Sequence, residues 1–363
     1  MLSTQEALDA VLAAARPLDR HETIDTLAAN ARVLATDVIA TLDVPPMDTS
    51  AMDGYAVRVA DLQGGQTVLP VSQRIPAGHA PEPLGSGTAA RIFTGAPMPQ
   101  GADAVVMQEQ CEARDDGTVV IRHVPASGEC VNRQGADIRR DAVVLAAGTR
   151  LRAPALGLAA SVGIGKLQVA RRLRVAVFFT GDELTMPGEP LRPGSIYNSN
   201  RFVLRSLLEN LGCEMADYGI VPDNLVATRA ILRDAARAND LIITSGGVSV
   251  GEEDHVKPAV QAEGRLDLWQ IALKPGKPLA YGEIHRASGE TAHFIGLPGN
   301  PVSSFVTFLL FVRPFILRLQ GVKDVAPRRL AMRADFTQTK ADRRNEFVRA
   351  RINAPGGLDS FPN

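Results

Sequence analysis

Between Thr244 and Asp254 the sequence TSGGVSVGEED sets three glycines, three hydroxyl residues and three acids in one loop, directly after the apolar run Asp240 to Ile243. Gly246 and Gly247 let backbone N–H groups approach an anion, and Ser245 and Ser249 add hydroxyl donors. The acids of the same loop would repel that anion unless a hard cation lies between them. Mg²⁺ suits this arrangement, since it takes one or two carboxylates together with phosphate oxygens of a substrate. Acids beside an anion cradle therefore imply Mg²⁺-assisted chemistry on a phosphorylated or nucleotidylated ligand. Glu252 and Glu253 equally fit a solvated helix N-terminus, where negative charge is favoured in any case.

Three further stretches carry similar chemistry. In FFTGDEL, Asp182 and Glu183 follow a turn at Gly181. In GLPGNPVSSF, Gly296, Pro298, Gly299 and Pro301 shape a rigid turn, and Ser303 or Ser304 can cap a helix whose N-terminus faces an anion. In LKPGKPLAYG, Lys274 and Lys277 flank a Pro-Gly pair and could clamp an oxyanion, although turn lysines are usually solvated. Glycine after a strand is most often only a turn. Three such loops at one sheet edge favour a site, because ligands of open α/β sheets bind beyond the carboxyl ends of the strands. By residue type alone, PPMDTSAMDGYAV and TGAPMPQGAD are ordered turns, with Asp53-Gly54 a turn dipeptide.

The elements that must position these loops follow from pattern. LRVAVFFT, EMADYGIV and DLIITSGG are strands alternating with the helices NRFVLRSLLENLG and NLVATRAILRDAARA, which predicts a doubly wound parallel sheet over residues 173–322. QTVLPVSQRIPAG, TAARIFTG, ADAVVMQE and GTVVIRHV predict a separate β-rich domain over 47–138, with RDDGT as a turn. Ser3 and Glu6 have capping-box spacing before a first helix that Pro17 ends, and a second helix is expected from Thr23 to Val38. With the helical APALGLAASVGIG, these make residues 1–46 and 139–172 a helical linker or dimerisation domain. RRLAMRADF and NEFVRARI read as two strands of a partial C-terminal β domain over 323–363.

The chain of 363 residues is too long for one ordinary core. Its 39 basic and 40 acidic residues balance, so bulk charge supplies no reason to bind nucleic acid or an anionic membrane. Cys111, Cys130 and Cys213 show neither zinc nor disulfide spacing and suit a reducing cytoplasm. The start MLSTQEALDAVLAAARP lacks the basic n-region of a signal peptide. SSFVTFLLFVRPFILRL contains Arg313 and Pro314 and falls short of a membrane span.

Taken in order, DTSAMDGYAV, TGAPMPQGADAVV, TGDEL, SGGVSVGEED, KPGKP and GLPGNPVS resemble the MoeA family, the molybdopterin molybdenumtransferases related to the gephyrin E domain. The resemblance covers nearly the whole chain. It implies transfer of molybdenum from molybdate to the dithiolene of adenylylated molybdopterin, with Mg²⁺-dependent release of AMP, in a homodimer whose β domain completes the partner's cleft. It assigns Asp53 and Thr94 to that cross-subunit contribution. Glu183, Asp223 and Asp254 become the acids of the crevice, with Asp254 and Glu183 handling Mg²⁺. Lys274 and Lys277 would hold molybdate or phosphate, while Ser245, Gly246, Gly247, Ser249, Pro298, Pro301 and Ser303 would shape the pterin-phosphate pocket. Molybdopterin adenylyltransferase and molybdoenzyme apoproteins would be its protein partners.

Two departures stand out. Gln270 follows Trp269 where some relatives would carry a lysine, and the family ordinarily ends in a complete small β-barrel domain, whereas this chain ends at Asn363. A molybdopterin adenylyltransferase uses a similar α/β domain, and a gephyrin-like scaffold could keep the fold without catalysis. Retention of the crevice acids favours chemistry over the scaffold. If Asp254 handles Mg²⁺, Asp254→Asn leaves folding intact and cuts turnover severely; full activity in that variant, measured as AMP release, would remove it from this role.

Overall fold

The computed structural model describes residues 1–248, 255–276, 278–338 and 342–361. Helix α1 (Thr4–Ala14) starts with the expected capping box: Ser3 Oγ accepts from the Glu6 N–H, and Glu6 accepts from the Ser3 N–H. Its Ala7, Leu8 and Val11 pack into the core of the α/β domain rather than into a separate helical layer.

The helix expected from Thr23 to Val38 does not form. His21–Asp25 is a strand paired antiparallel with Lys166–Ala170, a short 3₁₀ turn covers Thr26–Ala28, and Val38–Ile39 pairs with Val143–Leu145. Alternation in HETID places Ile24 inward, opposite Leu167, so pairing across about 140 residues overrides local periodicity. Helix α2 (Ala153–Ser161) is the only α-helix described within 139–172. The expected helical linker is therefore mostly short strand pairs.

Residues 54–121 are rich in strands. Strands β1 (Gly54–Val57), β2 (Thr67–Ile75), β3 (Ala89–Ile92), β4 (Ala104–Met107), β5 (Cys111–Ala113) and β6 (Thr118–Ile121) build one sheet in the order β4-β1-β3-β2-β6-β5. Close packing explains Gly54: a Cβ there would lie 2.0 Å from the Val106 carbonyl oxygen.

The α/β domain contains β7 (Arg174–Thr180), α3 (Ser199–Asn210), β8 (Glu214–Val221), α4 (Leu225–Ala238), β9 (Leu241–Ser245), α5 (Val256–Glu263), β10 (Gly264–Gln270), β11 (Pro278–His285) and β12 (Thr291–Leu297). Its sheet order is β8-β7-β9-β12-β11-β10. The first four strands are parallel and β10 runs the same way, but β11, between β12 and β10, is antiparallel to both, so the sheet is mixed rather than wholly parallel. Those last two strands form a hairpin arrangement with β12 and need no crossover helix. Both faces are covered. Val175, Val177, Phe179 and Ile243 face α1, α3 and the C-terminal helix, whereas Ala176, Phe178, Ile242 and Phe294 face α4 and α5.

After β12, α6 (Pro301–Thr307), a π turn over Phe308–Val312 and α7 (Arg313–Leu319) form one continuous 19-residue helix. By length and a mean hydropathy of 1.7 it could cross a membrane, contrary to the expectation that it falls short; it is 61% buried here as the central helix of the core. The wider turn precedes Pro314, which cannot donate to the preceding turn. Beyond it, RRLAMRADF makes only one isolated bridge, Ala334 to Leu358, and the C-terminal strands are Asn345–Glu346, Ala350–Ile352 and Leu358–Ser360. Phe315 is fully buried, edge-on to His293 and Tyr281. Phe315→Ala should cost about 3–5 kcal/mol of unfolding free energy, measured by denaturant titration.

Candidate functional site

Strand order places a topological switch between β7 and β9. From β7 the chain crosses through α3 on one face to β8; it returns through α4 on the other face to β9. The loops leaving β7 and β9 therefore diverge, and a crevice opens at their carboxyl ends.

Buried polar contacts hold its floor. Asn200, in the first turn of α3, donates through Nδ2 to Ser245 Oγ at 2.8 Å and to the Gly299 carbonyl at 2.8 Å. Ser245 Oγ in turn donates to the Pro298 carbonyl at 3.1 Å. One side chain thus ties three loops together. Gly246 and Gly247 have φ of 102° and 66°, and a Cβ on Gly246 would come within 2.6 Å of the Thr180 carbonyl oxygen. Glycine is required there on both counts.

The anion cradle is smaller than the sequence suggested. The Gly246 N–H already donates to the Leu297 carbonyl, and the Ser303 N–H is taken by the cap residue Asn300. Ser303 Oγ also points to Asn300 Oδ1, at 3.3 Å. Pro301 opens the helix at its first position, where a missing N–H costs nothing. Of this set, the Gly247 N–H is the amide without a hydrogen bond among the described residues. Ser249, Asp254 and Lys277, together with Glu252 and Glu253, lie outside the described residues.

Unspent polarity gathers at the same strand ends. Among the described residues, twelve buried side-chain polar atoms lack a partner, and seven belong to Thr180, Thr185, Asn198, Asp223, Thr244, Ser304 and Thr307. Each such group costs about 1–3 kcal/mol when left unpaired. Water or a ligand would satisfy them.

The KPGKP turn joins this region from the other side. Gly276 sits so close to α6 that a Cβ would lie 2.9 Å from Thr307 Oγ1 and 3.6 Å from Ser303 Cβ. Lys274 is ion-paired with Glu346 at 2.9 Å and lies 4.0 Å from Asp342, whose carboxylate is held by Arg344. Hydrogen bonds from Arg344 keep the Asp342 pKa far below the usual carboxylate range. Leu273–Lys274 pairs in parallel with Asn345–Glu346, which sets this contact. Asn200, Asp342, Arg344 and Glu346 were not foreseen. NEF is a weak signal, and no local pattern announces a pairing across 72 residues.

For Mg²⁺, no group of three His, Cys, Asp or Glu converges among the described residues. One or two carboxylates suffice when substrate phosphates complete the shell. Asp223 supplies an orphaned buried oxygen just past β8, and Glu183 folds its carboxylate over Gly181 just past β7. Both are hard oxygen donors of the kind Mg²⁺ takes.

Asp53 and Thr94 form a separate pair on the β-rich domain. Asp53 Oδ1 accepts from the Thr94 N–H at 2.8 Å and from its Oγ1 at 2.7 Å, and the backbone bond most of all lowers the carboxyl pKa. Among the described residues, no hydrogen bond or ion pair links this pair to the crevice. Thr94→Val should raise the Asp53 pKa while leaving it below the usual carboxylate value, because the backbone donor stays; an NMR pH titration of the carboxyl carbon reads the shift. Gly246→Ala should destabilise the chain by about 1–3 kcal/mol in denaturant titration, through strain and contact with Thr180.

Comparison with known proteins agrees with this architecture. Residues 2–163 match the family model described as MoeA N-terminal region (domain I and II), and residues 176–318 match the probable molybdopterin binding domain. A molybdopterin molybdenumtransferase of Haemophilus influenzae is 43% identical over 331 residues, covering 90% of this chain and 81% of that protein. One from Nostoc is 39% identical over 347 residues, covering 94% and 79%. The crystal structure of a molybdopterin biosynthesis MoeA protein from Pyrococcus horikoshii superposes with a TM-score of 0.82 at 28% identity, covering 99% of this chain and 89% of that one. The chain belongs to the MoeA family.

Proposed function

We propose that this chain transfers molybdenum from molybdate to the dithiolene of adenylylated molybdopterin and releases AMP. The carrying observation is the convergence of unpartnered buried polar atoms on the switch-point crevice, in a member of a family whose curated relatives are named molybdopterin molybdenumtransferase. Molybdate and the adenylylated pterin are the substrates.

The crevice binds before it reacts. Gly247, Ser304 and Thr307 offer donors for phosphate or oxo groups, and the helix opening at Pro301 adds its positive end. Lys274, two residues before the Gly276 that packs on this helix, is a compact cation suited to an oxyanion. Glu183 and Asp223 would hold Mg²⁺, which when bound offsets phosphate charge and polarises the bond to the adenylyl group. The stitched floor fixes these groups before substrate arrives, so orientation rather than a protein nucleophile lowers the barrier.

Asp53 and Thr94 complete the site from a second copy of the chain, since nothing links them to the crevice within one chain among the described residues. That copy makes the active form a homodimer with an inter-subunit cleft. Molybdopterin adenylyltransferase would supply the substrate, and molybdoenzyme apoproteins would accept the product. The three free cysteines, with burial raising the Cys111 thiol to about 11, suit a reducing cytoplasm.

AMP release from adenylylated molybdopterin should require both molybdate and Mg²⁺, and should leave molybdenum in the pterin product. Release without molybdate, or none from folded protein, would overturn the reading. Lys274→Ala should lower kcat/KM by about 100-fold, through the loss of one charge-assisted contact in a water-poor site, with the fold retained by circular dichroism.

A further inference from the structure

A second charged cavity lies well away from the crevice. About 760 Å³ in volume, it is lined by Arg150, Arg152, Arg313 and Arg328, with Asp324 as the single acid. Arg313 comes twelve residues after Pro301 along the continuous helix, which at 1.5 Å per residue puts it about 18 Å from the helix N-terminus. The volume falls within the range of small-molecule sites, about 300–1,000 Å³.

Among the described residues, no ion pair joins its four arginines to a carboxylate, and Asp324 offsets only one of their charges. Most other arginines of the chain meet a carboxylate, as Arg201 does Asp217 and Arg233 does Glu263. An adjoining cavity of about 770 Å³ contains Arg344 and Glu346, which are paired with Asp342 and Lys274. Here Arg152, Arg313 and Arg328 have no side-chain hydrogen bond or ion pair among the described residues. Arg150 gives one NH₂ group to the Asn210 carbonyl, while its Nε is buried without a partner. Burial first, and then Arg152 and Arg313, work against its charge. Like charges brought together around a half-enclosed space repel, and bound negative charge is what offsets them. The remaining wall, including Leu309, Leu317 and Val325, is apolar.

We infer that this cavity is an anion site, distinct from the crevice, that takes a small molecule bearing more than one phosphate. Guanidinium forks bind phosphate oxygens in pairs, and the apolar wall receives the body of the ligand. The site is positioned to fasten the N-terminal half to the α/β domain. Arg150 and Arg152 precede α2, whereas Arg313 lies on the last helix of the α/β domain and Arg328 in the C-terminal segment just after it, and the two halves already meet where Gly148 approaches the Gly321 carbonyl oxygen. The inference does not rest on molybdenum transfer.

The test is calorimetric titration of the whole chain with tripolyphosphate in magnesium-free buffer. Wild type should bind, the double variant Arg152→Gln/Arg313→Gln should bind about tenfold more weakly or worse, and Lys274→Ala should bind like wild type at this site. Arg328→Gln, at an exposed position, should weaken binding about threefold and covers the case in which the double variant fails to fold. No binding by wild type, unchanged binding by both arginine variants, or a loss that follows Lys274→Ala alone would overturn the assignment.

Discussion

The site depends on the buried contact between Asn200 and Ser245. Parallel strands leave their carboxyl ends as separate loops, and the switch between β7 and β9 sends those loops to opposite faces. Something must cross the gap. Asn200 reaches from α3 to Ser245 on β9 and to Gly299 after β12, and Ser245 passes a further bond to Pro298. Both side chains are buried, so each bond stands in place of a full desolvation cost. The glycines at 246 and 247 then permit the approach that the contact requires.

A rigid floor leaves polarity to spare around it. Among the described residues, Thr180 Oγ1, Asp223 Oδ1, Thr244 Oγ1 and Thr307 Oγ1 have no hydrogen-bond partner, whereas polar atoms of cores are mostly satisfied. Lys274 meets Glu346 and Asp342 because Leu273–Lys274 pairs beside the C-terminal strand Asn345–Glu346. Glu346 and Asp342 then restrain its charge. On the proposed function, an oxyanion entering the crevice would compete with those carboxylates for the lysine, and the C-terminal residues would act on the site although they are remote in sequence.

Much of this was legible in residue order. The alternation of LRVAVFFT and DLIITSGG with amphipathic helices was enough to place β7, β9 and the glycine turns at one sheet edge. Local periodicity failed where long-range pairing decided the outcome. Thr23–Val38 carries apolar residues at near-helical intervals, yet Ile24 is drawn into a strand by Leu167. Nothing in the residues of β11 marks it as the reversed strand of the sheet, because direction is not written in a strand's own residues. The cradle was overestimated for a similar reason: Gly246 permits an anion by conformation, but its N–H is taken by Leu297, a partner fifty-one residues away. Asp53 and Thr94 were visible as a motif, and their hydrogen bonds explain why the two residue types occur together.

The central claim is that the adenylylated pterin occupies the crevice at the ends of β7, β9 and β12. Hydrogen exchange on the whole chain, with and without adenylylated molybdopterin, tests it most directly. Protection should concentrate at residues 180–185, 246–248 and 298–307, with little change around Arg150 and Arg313. Protection confined to other surfaces, or none in those three loops at saturating ligand, would contradict it.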